Sequence, residues 1–186
     1  MTRLLLLLVS ALALIPLSAA LQAPKEVSKQ ELPQGRTVIL VRHAEKDPAG
    51  GEDPGLSERG KARAEELARL LIHSKATQLF ASNYKRTQAT LAPLAKQLAV
   101  EPRLIPAQDN DKIIEACWQS PPGSTTVICG HSNTIPKLAL ALGVQPERLD
   151  EKQRFPENEY TRVLIVHLPA DPKQSSPSLT ELALSP

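Results

Sequence analysis

Three short apolar runs, each followed by a basic residue, restrict this chain more than any other feature. Thr37 to Val41 leads into Arg42 and His43, Gln78 to Ser82 leads into a turn and Arg86, and Thr125 to Gly130 leads into His131. Aliphatic and β-branched runs of this length, separated by stretches of helical periodicity, read as buried parallel strands joined by crossover helices. Neighbouring parallel strands end on one edge of their sheet, and that edge is where α/β sheets hold ligands. The pattern predicts two histidines and two arginines converging there, a cluster suited to a dianionic phosphate.

The segments between the runs support this order. Ser57 can cap a helix whose apolar face is Ala64, Leu67, Ala68, Leu70 and Leu71. A second helix is expected over Lys85 to Leu98, with Pro93 marking a kink or irregular turn, and a third over Asp111 to Trp118. A fourth follows His131, with Pro136 placed near its first turn. Tyr160 to Leu168 reads as the last clear strand, and Ser178 to Leu184 as a candidate weak edge strand. The expected fold is a three-layer α/β/α domain with a mainly parallel central sheet. The chain has two Phe, two Tyr and one Trp, so its core must be built from Leu, Ile, Val and Ala.

Residues 1–20 are expected to lie outside this fold. A positive start at Arg3, an apolar run from Leu4 to Leu17, and Ser18-Ala19-Ala20 form the pattern of a cleaved export signal. The run stops at Pro16 and the small residues, short of the roughly 20 apolar residues a membrane-spanning helix needs. The expectation is an exported protein, periplasmic or secreted, with no membrane anchor after cleavage. Residues 21–36 then form a lead-in, 37–168 a single domain, and 169–186 a tail rich in Pro and Ser. A net charge of only +2 gives no reason to expect a nucleic-acid partner. Cys117 and Cys129 do not make a disulfide framework, and the default for them is buried free thiols.

The motif order resembles the histidine phosphatase superfamily, also called the phosphoglycerate mutase-like family. Arg42-His43-Ala44-Glu45 stands where that family has Arg-His-Gly; Ser82, Arg86, Thr87 and Thr90 match Ser-x-x-x-Arg-Thr-x-x-Thr; Gly130-His131 matches the later Gly-His. Ala44 in place of glycine is compatible with this unless the position needs a positive φ. The resemblance implies a phosphoglycerate mutase-like fold and a catalytic core of His43, Arg42, Arg86 and His131. It also implies a phosphohistidine formed on His43 and then hydrolysed.

The chemistry of the residues agrees with that implication. A neutral imidazole can attack phosphorus through one nitrogen if a hydrogen bond holds the proton on the other. Arg42 and Arg86 would disfavour protonation of His43 and hold phosphate oxygens in their planar forks. His131 would donate to a phosphate oxygen, with Ser132 and Asn133 leading into a helix start that can cradle an anion. Expulsion of an alkoxide also needs an acid, for which Glu115, Asp109, Asp111 and Glu45 are the candidates. His73 and His167 read as structural, and Lys46 and Lys85 as surface charges. No cofactor or metal is expected, because His43-Ala44-Glu45 has no Pro-Cys-x-x-Cys partner and no His-Glu-x-x-His occurs. Nor does the sequence after Cys129 supply the arginine a cysteine phosphatase loop requires. The expected function is phosphomonoester hydrolysis of a small phosphorylated substrate. A phosphoglycerate mutase-type phosphoryl transferase and a catalytically inactive phosphate-binding protein are the alternatives.

Overall fold

In the computed structural model, residues 34–184 are described, so the expected export signal and most of the lead-in lie outside the described residues. The strands are β1 (Arg36–Arg42), β2 (Ala76–Ala81), β3 (Arg103–Leu104), β4 (Thr125–Gly130), β5 (Arg162–Leu168) and β6 (Ser178–Ala183). The helices are α1 (Glu58–Leu71), α2 (Lys85–Leu98), α3 (Asn110–Gln119) and α4 (Thr134–Ala141). The strands form one sheet of order β3-β2-β4-β1-β5-β6.

β1, β2, β3 and β4 are mutually parallel, whereas β5 pairs antiparallel with β1, and β6 with β5. The reversal at β5 has a local cause. After α4 the chain has no crossover helix of its own, and residues 142–161 carry it back past the carboxyl edge, so β5 must enter from that edge. Strand register then fixes the site: Val41 and Ala81 both pair with Cys129, and Arg42 pairs with Gly130. Arg42, Ser82 and His131 therefore leave the sheet at nearly one level.

Alternation along the strands divides the core into two layers. Val38, Leu40, Phe80, Ile128 and Leu164 pack with Ile113 and Cys117 of α3 and with Ile135 and Leu138 of α4. Ile39, Val41, Leu79, Val127 and Val163 pack with Leu67, Ala68 and Leu71 of α1 and with Leu91 and Leu94 of α2. The result is the expected three-layer arrangement. Ser57 accepts a hydrogen bond from Gly60 N and caps α1.

Some local expectations change. Leu70, placed on the apolar face of α1, is 46% exposed, because the face that meets the sheet is Ala64, Leu67, Ala68 and Leu71. α2 runs uninterrupted through Pro93. β3 is a two-residue exposed edge strand with no periodicity to reveal it. β5 starts at Arg162, which leaves Tyr160 in the preceding loop. The edge strand β6 forms as expected, and Cys117 and Cys129 are free and buried.

Candidate active site

β1 delivers Arg42 and His43 to the sheet edge, and His43 N extends the ladder by one bond to Gly130 O at 2.9 Å. The side chains of Arg42, His43 and His131 are buried, and the two imidazole centroids lie 5.3 Å apart. His43 Nδ1 is 2.8 Å from Ala44 O. A carbonyl only accepts, so the proton sits on Nδ1 and the Nε2 lone pair is left free. Burial is the main cause that pushes His43 down to about 3; the bond to Ala44 O opposes it, while Arg42, His131 and Arg86 add to the lowering. Burial, then Arg86 and Arg42, push His131 down to about 4. Both rings are neutral at physiological pH.

The motif hydroxyls explain how His43 is held. Thr90 Oγ1 donates to Arg86 O at 2.7 Å and accepts from Ala44 N at 3.0 Å, which ties α2 to the turn after His43. Ala44 does not have a positive φ, and its methyl group fills a small cluster with Leu56 and Ala64. At the other strand end, Thr134 Oγ1 accepts from His131 N at 2.8 Å. A Cβ on Gly130 would lie 2.7 Å from that same oxygen, so the tight turn that presents His131 needs glycine there.

Each arginine stacks on a tyrosine, with Arg42 Cζ 4.2 Å from the Tyr160 ring centroid and Arg86 Cζ 4.3 Å from that of Tyr84. Arg42 Nη1 donates to the carbonyls of Pro156, Glu157 and Glu159, and Nη2 to Glu157 Oε2 at 3.1 Å. Arg42 thus gathers the loop before β5 and cannot offer its whole fork to a ligand. Arg86 is less committed, with Nη1 3.7 Å from Asp53 and Nη2 3.4 Å from His131 Nδ1. The Nε atoms of both arginines are buried without a hydrogen-bond partner.

These groups line a cleft of about 490 Å³, within the usual range for small-molecule sites. Its wall includes His43, Arg42, Arg86, His131, Ser132 and Asn133, all singled out from sequence, and also Lys46, Tyr84, Lys137 and Glu157. Among the described residues four cationic side chains face a single carboxylate there, so the cleft favours an anion.

The acid candidates read from sequence do not reach this wall. Glu45 accepts a double hydrogen bond from Arg63 and pairs with Arg59, which together outweigh burial and hold its pKa below the ordinary carboxylate range. Asp109 is paired with Lys112 at 3.0 Å, Glu115 accepts from Gln119 at 2.8 Å, and Asp111 sits in the first turn of α3. Glu157 is the only carboxylate on the wall among the described residues. Sequence reasoning missed it, along with Tyr84, Tyr160, Lys137 and Asp53, whose carboxylate accepts from Lys85 N at the start of α2. The chain has only two tyrosines, and both stack on these arginines, a contact that no spacing in the sequence marks. Burial pushes Cys117 up to about 12 and raises Cys129 further, so neither thiol offers a nucleophile. Among the described residues no group of three or more His, Cys, Asp or Glu side chains could hold a metal ion.

The neutral imidazoles set a pH dependence. Unfolded histidine binds its proton near 6.5, whereas folded His43 and His131 do so at about 3 and about 4. Their contribution to stability is complete above about pH 6.5 and is lost as pH falls toward those folded values, because the unfolded chain then binds more protons. Urea midpoints are expected to fall between pH 7 and 4.5, and less steeply when both histidines are replaced by glutamine. Equal slopes in variant and wild type would show that the rings are not held neutral.

A family model of the histidine phosphatase superfamily (branch 1) matches residues 38–118. The protein histidine phosphatase SixA, solved with tungstate, is similar at 14% identity and a TM-score of 0.61, over 79% of this chain and 96% of that one. A mycobacterial glucosyl-3-phosphoglycerate phosphatase aligns at 16% identity and a TM-score of 0.61, over 82% of this chain and 100% of that one. Phosphoserine phosphatase from Entamoeba histolytica, solved with 3-phosphoglyceric acid, gives 16% identity and a TM-score of 0.58, over 81% and 98%. At these identities the solved structures speak for the fold.

Proposed function

We propose that this chain, a histidine phosphatase superfamily member, is an exported phosphomonoester hydrolase that works through a phosphohistidine on His43. The observation that carries the reading is the neutral His43, with its proton fixed on Nδ1 by Ala44 O, standing in one cleft with two arginines. His43 Nε2 would attack phosphorus as the bond to the leaving oxygen breaks. The guanidinium of Arg86, with the free donors of Arg42, would hold the equatorial oxygens as charge spreads over them. Water would then attack the phosphohistidine, releasing inorganic phosphate and restoring the free imidazole. Hydrolysis is favoured over mutase-type transfer because the cleft opens to solvent at Glu157, whose side chain is 73% exposed.

A second reading concerns the leaving group. Among the described residues the one carboxylate on the wall is ion-paired with Arg42, and it offers no strong protonation of an alkoxide. That favours leaving groups that depart without it, such as aryl oxygens or the nitrogen of a phosphorylated imidazole, as the name of the neighbouring protein histidine phosphatase suggests.

Both readings are tested by one panel of an aryl phosphate, an alkyl phosphate and a phosphohistidine peptide. Release of phosphate from the aryl and phosphohistidine substrates, inhibited by tungstate, is the expected result. A folded protein that releases phosphate from none of the three would overturn the proposal. Equal kcat/KM on the alkyl and aryl substrates would reject the second reading alone. For export, the mature amino terminus is expected near Leu21 in an extracytoplasmic fraction; an intact Met1 terminus in the cytosol would reject it.

A further inference from the structure

Behind the cleft, a chain of hydrogen bonds runs from Arg86 through His131 into two buried hydroxyls. Arg86 Nη2 lies 3.4 Å from His131 Nδ1, His131 Nε2 lies 2.9 Å from Ser82 Oγ, and Ser82 Oγ lies 2.8 Å from Thr87 Oγ1. Thr87 Oγ1 in turn lies 2.8 Å from Tyr84 O and 3.0 Å from Ser82 O. Ser82, Thr87 and His131 are all buried.

The ends of this chain dictate the direction of every proton in it. A guanidinium only donates, so His131 Nδ1 accepts from Arg86 and the ring carries its proton on Nε2. That Nε2–H donates to Ser82 Oγ. Carbonyl oxygens only accept, so the Thr87 hydroxyl donates to one of its two carbonyls, and its own oxygen accepts from the Ser82 hydroxyl. Reversing any link would set two donors or two acceptors against each other.

We propose that Ser82 and Thr87 are positioning residues that lock His131 as the Nε2–H tautomer, so that it meets a phosphoryl group as a proton acceptor at Nδ1 and donates only after taking up a proton. This replaces the expectation of a ready-made donor, and it rests on reading the cleft as a phosphoryl site. The groups facing the ring are Arg42 at the end of β1, His43 just after it, Tyr84 just before α2 and Arg86 in the first turn of α2. Among these the two guanidinium charges oppose protonation, and a bound phosphate dianion would offset them. One proton, taken from solvent or from a phosphate monoanion, would then move to Nδ1. That N–H can donate to a phosphoryl oxygen, or to the leaving oxygen as its bond to phosphorus breaks.

The test is nitrogen-15 NMR of the His131 side chain in the whole labelled protein, free and with inorganic phosphate. The free protein is expected to show a protonated Nε2 and a bare Nδ1 at pH 7, and phosphate should shift the ring toward imidazolium. Calorimetry in buffers of different ionisation enthalpy should record proton uptake on binding, up to one proton per site. Ser82→Ala is expected to mix the tautomers, abolish the uptake and lower kcat/KM by about 10- to 100-fold, the scale known for removing the hydrogen-bond partner that orients a metal-ligating histidine. Thr87→Val should act the same way, and Thr87→Ser should restore the signal. A protonated Nδ1 in the free protein, or Ser82→Ala with unaltered tautomer and uptake, would overturn the proposal. Because the tautomer is read without turnover, the expected spectrum in a protein lacking phosphatase activity would reject only the functional reading.

Discussion

Replacing His43 by alanine is expected to reduce hydrolysis of an aryl phosphate on the order of 10⁴-fold or more while the protein stays folded. The size of the loss follows from what remains in the cleft. His131 is a poor substitute, because its Nε2 is held by Ser82 and its Nδ1 lone pair is engaged by Arg86 until it takes up a proton. Neither cysteine can act, since both are buried and held as thiols. An alkaline denaturing quench with labelled substrate should trap a phosphoryl group on the wild type and none on the variant, and the trapped group should be lost in acid as a phosphoramidate is. Because His43 is neutral down to about pH 3, its own protonation is not expected to give kcat/KM an acid limb near the usual histidine value of 6.5. Full activity in the alanine variant would sink the covalent mechanism.

The positions of Arg42, His43, Arg86 and His131 were legible in sequence because they depend on strand ends. Three apolar runs followed by basic residues already imply one sheet edge, and the pairing of Val41 and Ala81 with Cys129 is the physical form of that implication. The roles of Ser82, Thr87 and Thr90 were less legible. Their spacing marked a family, but their work depends on which backbone atoms and which imidazole nitrogen lie within reach, and that is tertiary. Glu157 and Tyr160 were invisible for a related reason. They sit in a loop held by Arg42 Nη1 through three carbonyls, a contact spanning more than a hundred residues that leaves no periodic trace. Glu45 shows the opposite failure: it lies two residues from His43, yet Arg63 turns it away from the cleft.

The arginines separate binding from architecture, and Arg86 gives the cleaner experiment. Arg42 anchors the loop before β5, so Arg42→Ala would confound loss of a phosphate contact with release of Pro156 to Glu159. Arg86 is exposed to the cleft, stacked on Tyr84 and only loosely engaged by Asp53 at 3.7 Å. Arg86→Ala is therefore expected to cost about 2 to 4 kcal/mol of transition-state stabilisation in kcat/KM, with the loss mainly in kcat. Arg86→Lys should recover only part of it. A lysine keeps the charge but not the planar fork, and the donor to His131 Nδ1 would also lose its fixed direction. Tyr84→Leu offers a milder comparison, since it removes the stacking surface while leaving the guanidinium in place, and should cost less than either arginine variant. Steady-state kinetics of the three variants on one aryl phosphate decides the matter. If Arg86→Lys equals wild type, charge alone suffices and the bidentate reading of this residue is wrong; if Arg86→Ala equals wild type, the phosphoryl group does not bind where Arg86 stands.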